Sequence, residues 1–252
     1  MRYVLGCLIC VTYPGMLVAQ QSHVQALPSA VNPLQVGKMA VALPPGDWRV
    51  LNQREARVNM TSGPGSSTET KYLIRVNEKN QWVGAISVAA TKHSGVVTDW
   101  TDSVCNRTDM LWIKQTDGNF KFPACLFINH SHPVWTNVPN NEFDKTIFDW
   151  YRVNKIELPK TALAVGYRKY FSGDYVTVRF DINPELVGFS PDTGNSRASS
   201  QWHPDLIKED AGKVRYVDAL QKWAETMEIP YRNSLRSGSP GDNKLGLWPE
   251  SR

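Results

Sequence analysis

TALAVGYRKYFSGDYVTVRFDI, residues 161–182, is the stretch that decides the fold. Two apolar-rich arms flank Ser172, Gly173 and Asp174, a composition that turns the chain back on itself. In the second arm Val176, Val178, Phe180 and Ile182 share one side, while Thr177, Arg179 and Asp181 share the other. A period of two with one dry and one wetter face is the pattern of antiparallel sheet.

Working outward, the C-terminal side holds a helix from about 211 to 228. Tyr216, Val217, Leu220, Trp223, Ala224 and Met227 fill one arc of a helical wheel, and Asp218 and Lys222 form an i,i+4 pair elsewhere. That stripe is a docking face for the sheet. On the N-terminal side, Phe143, Ile147, Trp150 and Tyr151 recur at helical spacing behind Asn141 as a cap, and Pro159 stops the run. Further upstream, residues 71–76 and 81–88 flank Asn77-Glu78-Lys79-Asn80 as another hairpin, and 40–43 and 48–51 read as short strands. The expected architecture is therefore α+β, an antiparallel sheet of six to eight strands packed by two helices.

Cys105 and Cys125 bracket a further hairpin, with strands at 110–114 and 120–122 around Thr116-Asp117-Gly118-Asn119. In that register Gln115 faces Phe120, so Met110, not Cys105, lies opposite Cys125. A straight strand would leave the cysteines roughly 16 Å apart, whereas bridged Cα atoms lie within about 7 Å. Residues 105–109 must then fold back over the hairpin. The remaining cysteines, Cys7 and Cys10, fall in an apolar run that follows Met1-Arg2 and ends near Ala19. This layout is that of a secretory signal, cut between Ala19 and Ala26, and an exported chain with two cysteines left is expected to join them.

The expected organisation is a signal peptide at 1–19, a flexible proline-dotted leader at 20–39, one α+β domain at 40–235 and a flexible tail at 236–252. With 41% apolar residues and nine tryptophans the chain can bury a large core. Its +4 formal charge comes from interspersed residues of both signs, which does not point to nucleic acid. After signal cleavage no window is apolar enough for a membrane span.

Candidate chemistry is sparse. His130 and His132, if both extended, point to one side about 6.6 Å apart and could share a metal ion; a polar strand end before Pro133 is the plainer alternative. Asp99, Asp102 and Asp109 gather carboxylates near the folded-back segment, without calcium-loop spacing. Nucleophile elbows, zinc-protease helices and phosphate-binding glycine loops are absent from the sequence. Trp82, Trp100, Trp112, Trp135 and Trp202 include several in polar, loop-like surroundings where indoles serve as binding surface, with Trp100, Trp112, Trp135 and Trp202 the candidates, though most tryptophans are core. No cofactor is implied, and no catalytic residue is picked out.

QWHPDLIKEDAGKVRYVDALQKWAETM (residues 201–227) and LPPGDWRV (residues 43–50) resemble segments of uncharacterised exported proteobacterial proteins. The resemblance implies a bacterial periplasm and carries no catalytic residue across. The expectation that follows is a periplasmic or secreted non-catalytic protein that binds or stabilises another envelope component, protein or glycan. The alternative is an envelope hydrolase for glycan or peptide that works through paired carboxylates.

Overall fold

Ser172 and Gly173 turn the chain with φ of +51° and +86°, the two left-handed residues that a tight two-residue hairpin demands. The computed structural model describes residues 27–58, 66–94, 104–117, 123–131, 139–194 and 196–249. In chain order the strands are β1 (Leu34–Val36), β2 (Met39–Val41), β3 (Arg49–Val58), β4 (Ser66–Val76), β5 (Trp82–His93), β6 (Trp112–Gln115), β7 (Ala124–Ser131), β8 (Ala162–Phe171) and β9 (Asp174–Ile182). The helices are α1 (Glu142–Val153), α2 (Ala211–Glu225) and α3 (Glu228–Ser237). Seven strands form one antiparallel sheet in the order β3-β4-β5-β9-β8-β7-β6, and β1 pairs with β2 separately. The class is α+β, as the alternation at 176–182 predicts.

The dry side of that alternation is the main core. Val176, Val178, Phe180 and Ile182 of β9 align with Leu163, Val165 and Tyr167 of β8 and with Leu126 and Ile128 of β7. Tyr216, Leu220, Trp223 and Met227 of α2 and its C-terminal turn pack onto them, and Phe180 meets Trp223 edge-on at 5.1 Å between ring centres. Asp210 caps α2, its carboxylate accepting the N–H groups of Gly212 and Lys213.

The opposite face is shared. Over β4 and β5, α1 lays Ile147 and Tyr151 on Tyr72, Ile74, Trp82 and Ala85. Tyr151 Oη accepts from Trp82 Nε1 at 3.0 Å and lies 3.2 Å from Tyr72 Oη. Asn141 caps α1 as its sequence position predicts, accepting from the Asp144 N–H. The half of this face over β7 and β8 is left to a different cover, the segment 104–110.

Four expectations need correction. The hairpin at the cysteines pairs Gln115 with Cys125 and Trp112 with Ile128, so the register is displaced by five positions; the expected strand at 120–122 lies outside the described residues. The fold-back does occur, but it carries Cys105 to the loop end of the hairpin, where its carbonyl accepts from Gln115 Nε2. The leader is built in from residue 27 of the described chain: Leu34, Val36 and Met39 are buried, and Ala40 N–H donates to the Gly238 carbonyl at 2.8 Å. The tail is also built in, because Trp223 Nε1 donates to the Gly246 carbonyl at 3.0 Å and Trp248 wedges between Trp48 and Trp223. Finally, the last helix does not stop at 228. Thr226 and Met227 break it, and α3 continues with Pro230 in its first turn, where a missing N–H costs nothing.

Trp248 is 4% exposed and makes two edge-on tryptophan contacts. Trp248→Ala is expected to cost about 3–5 kcal/mol in urea unfolding. A loss below about 1 kcal/mol would mean that the tail is not part of the core.

Candidate functional site

The half of the second face that α1 does not reach is floored by small residues. Along β8, Ala164 and Gly166 leave room above the sheet, and Phe127 of β7 lays its ring across Gly166. A Cβ at position 166 would stand 2.2 Å from Phe127 Cζ, so glycine is what lets the ring lie flat. Cys125, two residues back on the same side of β7, holds Cys105 with 5.6 Å between Cα atoms. Cys105, Met110, Cys125 and Phe127 thereby form a small core of their own.

The bond pins residues 104–110 as one wall of a trough of about 550 Å³. Arg107 stands on that wall, Arg168 on β8, Arg179 on β9, and Arg197 reaches in from the loop before α2. Asn129, Ser131 and Thr177 lie between these cations, and Val104, Met110, Phe127 and Ala164 supply apolar surface. Among the described residues that line it, no carboxylate and no lysine is present.

Two aspartates at the margin orient the guanidinium groups. Arg107 meets Asp109 as a fork, Nε to Oδ1 at 2.7 Å and Nη2 to Oδ2 at 2.6 Å. Arg197 reaches the same residue, Nη2 lying 3.0 Å from Oδ2 and 3.0 Å from the main-chain oxygen, and it also donates to Asn129 Oδ1 at 2.8 Å. The hydrogen bond from Arg107 outweighs desolvation and holds the Asp109 carboxyl down to about 2. On the floor, Arg179 gives Nε and Nη2 to Asp181 Oδ1 at 2.9 and 2.6 Å, and the Asp181 charge raises the arginine further above its ordinary value.

The loop that carries Arg197 hangs on a buried carboxylate. Asp192, 7% exposed, accepts from Thr161 Oγ1 at 2.8 Å, Ser200 Oγ, the Gly194 N–H at 3.0 Å and the Gln201 N–H at 3.2 Å. Burial pushes its carboxyl up, but these donors, Ser200 foremost, prevail and hold it below the usual range.

The sequence candidates fare unequally. Cys105 and Cys125 are joined and buried, as expected. His130 is 1% exposed, and its Nε2 lies 3.0 Å from the Arg197 carbonyl, so that nitrogen bears a proton and is not offered to a metal. His132 lies outside the described residues, among which no group of three His, Cys, Asp or Glu could hold a metal ion. Asp109 is taken by arginines, and Asp99 and Asp102 lie outside the described residues. Trp202 is corrected from surface to core: it is 1% exposed and stacks edge-on with Phe189 at 5.0 Å. Trp112 sits half-buried on edge strand β6 against the main core, and Trp100 and Trp135 lie outside the described residues.

Sequence reasoning missed the arginines as a group. Arg179 was legible as a wet-face residue, but Arg107, Arg168 and Arg197 come from three other elements and only the fold gathers them. The chain matches no family model, no curated protein and no solved structure. Among the described residues no helix is long and apolar enough to cross a membrane.

A carboxylate held below its unfolded value contributes stability above the ordinary aspartate pKa of about 3.9 and loses it as pH falls through the lower folded value. Asp192→Asn is expected to cost about 1–3 kcal/mol at neutral pH. The gap from wild type should narrow as pH falls below the ordinary aspartate value and through the lower folded one. Melting curves across pH that show a constant gap would contradict this role.

Proposed function

We propose that the protein is an exported, periplasmic binding protein that holds an anionic component of the cell envelope in the arginine-lined trough. The observation that carries this reading is the lining itself: four arginines from four elements around one concavity, with no described carboxylate among them. Arginine offers a planar fork of donors that matches oxyanions, and it keeps its charge at every physiological pH. The margin aspartates restrain three of the four guanidinium groups before any ligand arrives, so less side-chain freedom is lost on binding. A buried disulfide and the apolar N-terminal run are the features that support export.

A hydrolase of glycans or peptides would need two carboxylates converging on a substrate. Asp109 and Asp181 are each committed to arginine partners instead, which favours binding over general acid–base work.

Titration calorimetry of the disulfide-bonded protein with citrate, benzoate and phenyl phosphate in low-salt buffer tests the reading. At least one anion is expected to bind, more weakly as salt is raised. Arg168→Gln and Arg107→Gln should each weaken that binding about tenfold. If none of the anions binds, or if both variants bind as the wild type does, the trough is not an anion site.

A further inference from the structure

We propose that the anion this trough takes is a phosphate ester borne on an organic body. The inference rests on the anion-binding reading above and names its ligand class.

The donors left over carry the first half of the argument. Arg107 and Arg179 each commit Nε and Nη2 to an aspartate, and Arg197 commits Nη2 to Asp109 and Asn129. Nη1 of all three therefore has no partner among the described residues, and Arg197 keeps Nε as well. Those nitrogens belong to separate elements: the disulfide-pinned wall, the sheet floor and the loop opposite. A carboxylate is flat, has two oxygens, and is satisfied by one guanidinium fork, the arrangement that Asp109 already fills on Arg107; Asp181 takes both Arg179 donors on Oδ1 alone. A phosphate ester turns three strong acceptor oxygens in different directions and carries close to two charges near neutral pH. It can be met by several arginines at once, from floor and walls together.

The size and lining carry the second half. A volume of about 550 Å³ is in the range that holds a small organic molecule rather than a bare ion. Met110, Val104, Ala164 and the edge of the Phe127 ring give the trough an apolar side beside its cations. Phe127 is fixed there by the missing side chain of Gly166. An inorganic anion would leave that surface unused, while an ester's organic part would cover it.

Phenyl phosphate, benzoate and inorganic phosphate are the probes, titrated into the full disulfide-bonded protein. Phenyl phosphate is expected to bind about tenfold or more tightly than either of the others. Arg197→Gln, which leaves Asp109 paired with Arg107, should remove most of that advantage over benzoate; Met110→Ala should narrow the advantage over inorganic phosphate. Benzoate binding as well as phenyl phosphate would overturn the phosphate assignment while leaving an anion site standing. Inorganic phosphate binding as well as its ester would overturn the organic body. Failure of all three probes, together with citrate, would remove the anion site itself. Phosphatidylcholine vesicles with and without phosphatidic acid then separate the sources. Capture by the phosphatidic acid vesicles, reversed by phenyl phosphate, places the ester on a lipid; phenyl phosphate binding without capture places it on a soluble molecule. Either result sustains the class.

Discussion

The covalent tie between Cys105 and Cys125 determines what happens on the half of the sheet that α1 does not reach. Cys125 projects from β7 on the side away from α2, next to Phe127. Whatever chain Cys105 belongs to must therefore lie against that face. The tied segment brings Arg107 and Asp109, and Asp109 in turn catches Arg197 from a loop nearly ninety residues further on. Loop closure of this size restricts the unfolded chain by roughly 3 kcal/mol in the entropy model. Its larger consequence in this fold is positional, because it converts an open sheet face into a walled one.

That wall needs a stiff floor, and the other face supplies it. β7, β8 and β9 bury Leu126, Ile128, Leu163, Val165, Val178 and Phe180 under α2 and α3. Cores packed this closely respond to the loss of even one methylene. Leader and tail complete the same core: Tyr231 Oη donates to the Ala42 carbonyl at 3.0 Å, and Trp48 and Trp248 meet edge-on. The arginines on the far side thus project from strands that are immobilised from behind, while the loop and the tied segment are held by aspartates.

Much of this frame is legible in the chain. The alternation through Val176 to Ile182, the Ser172-Gly173 turn, the stripe of α2 and the Asn141 cap each encode their element within a few residues of sequence. What the sequence hides has physical reasons. Thr116 to Asn119 has the composition of a tight turn, but β7 runs through seven buried positions from Ala124 to His130. Burying that run fixes Cys125, not Phe120, opposite Gln115. β1 and β2 are three residues each, too short for a period to emerge, and they are covered by distant elements, β2 by α3 and β1 by β4 and β5. Pro230 follows directly on the 211–228 run and stands in the first turn of α3. Trp202 resembles a surface indole because its neighbours in sequence are polar, yet its neighbours in space are Phe189 and the side chain of Lys213. The trough is the least legible feature, since one arginine on each of four elements leaves no local pattern.

Hydrogen–deuterium exchange of the wild type beside the Cys105→Ser, Cys125→Ser double variant tests most directly whether the tie makes the wall. Faster exchange confined to residues 104–115 and to the Arg197 loop, with β8, β9 and α2 as protected as before, is the result predicted. Unchanged protection in 104–115, or protection lost across the whole sheet, would contradict it.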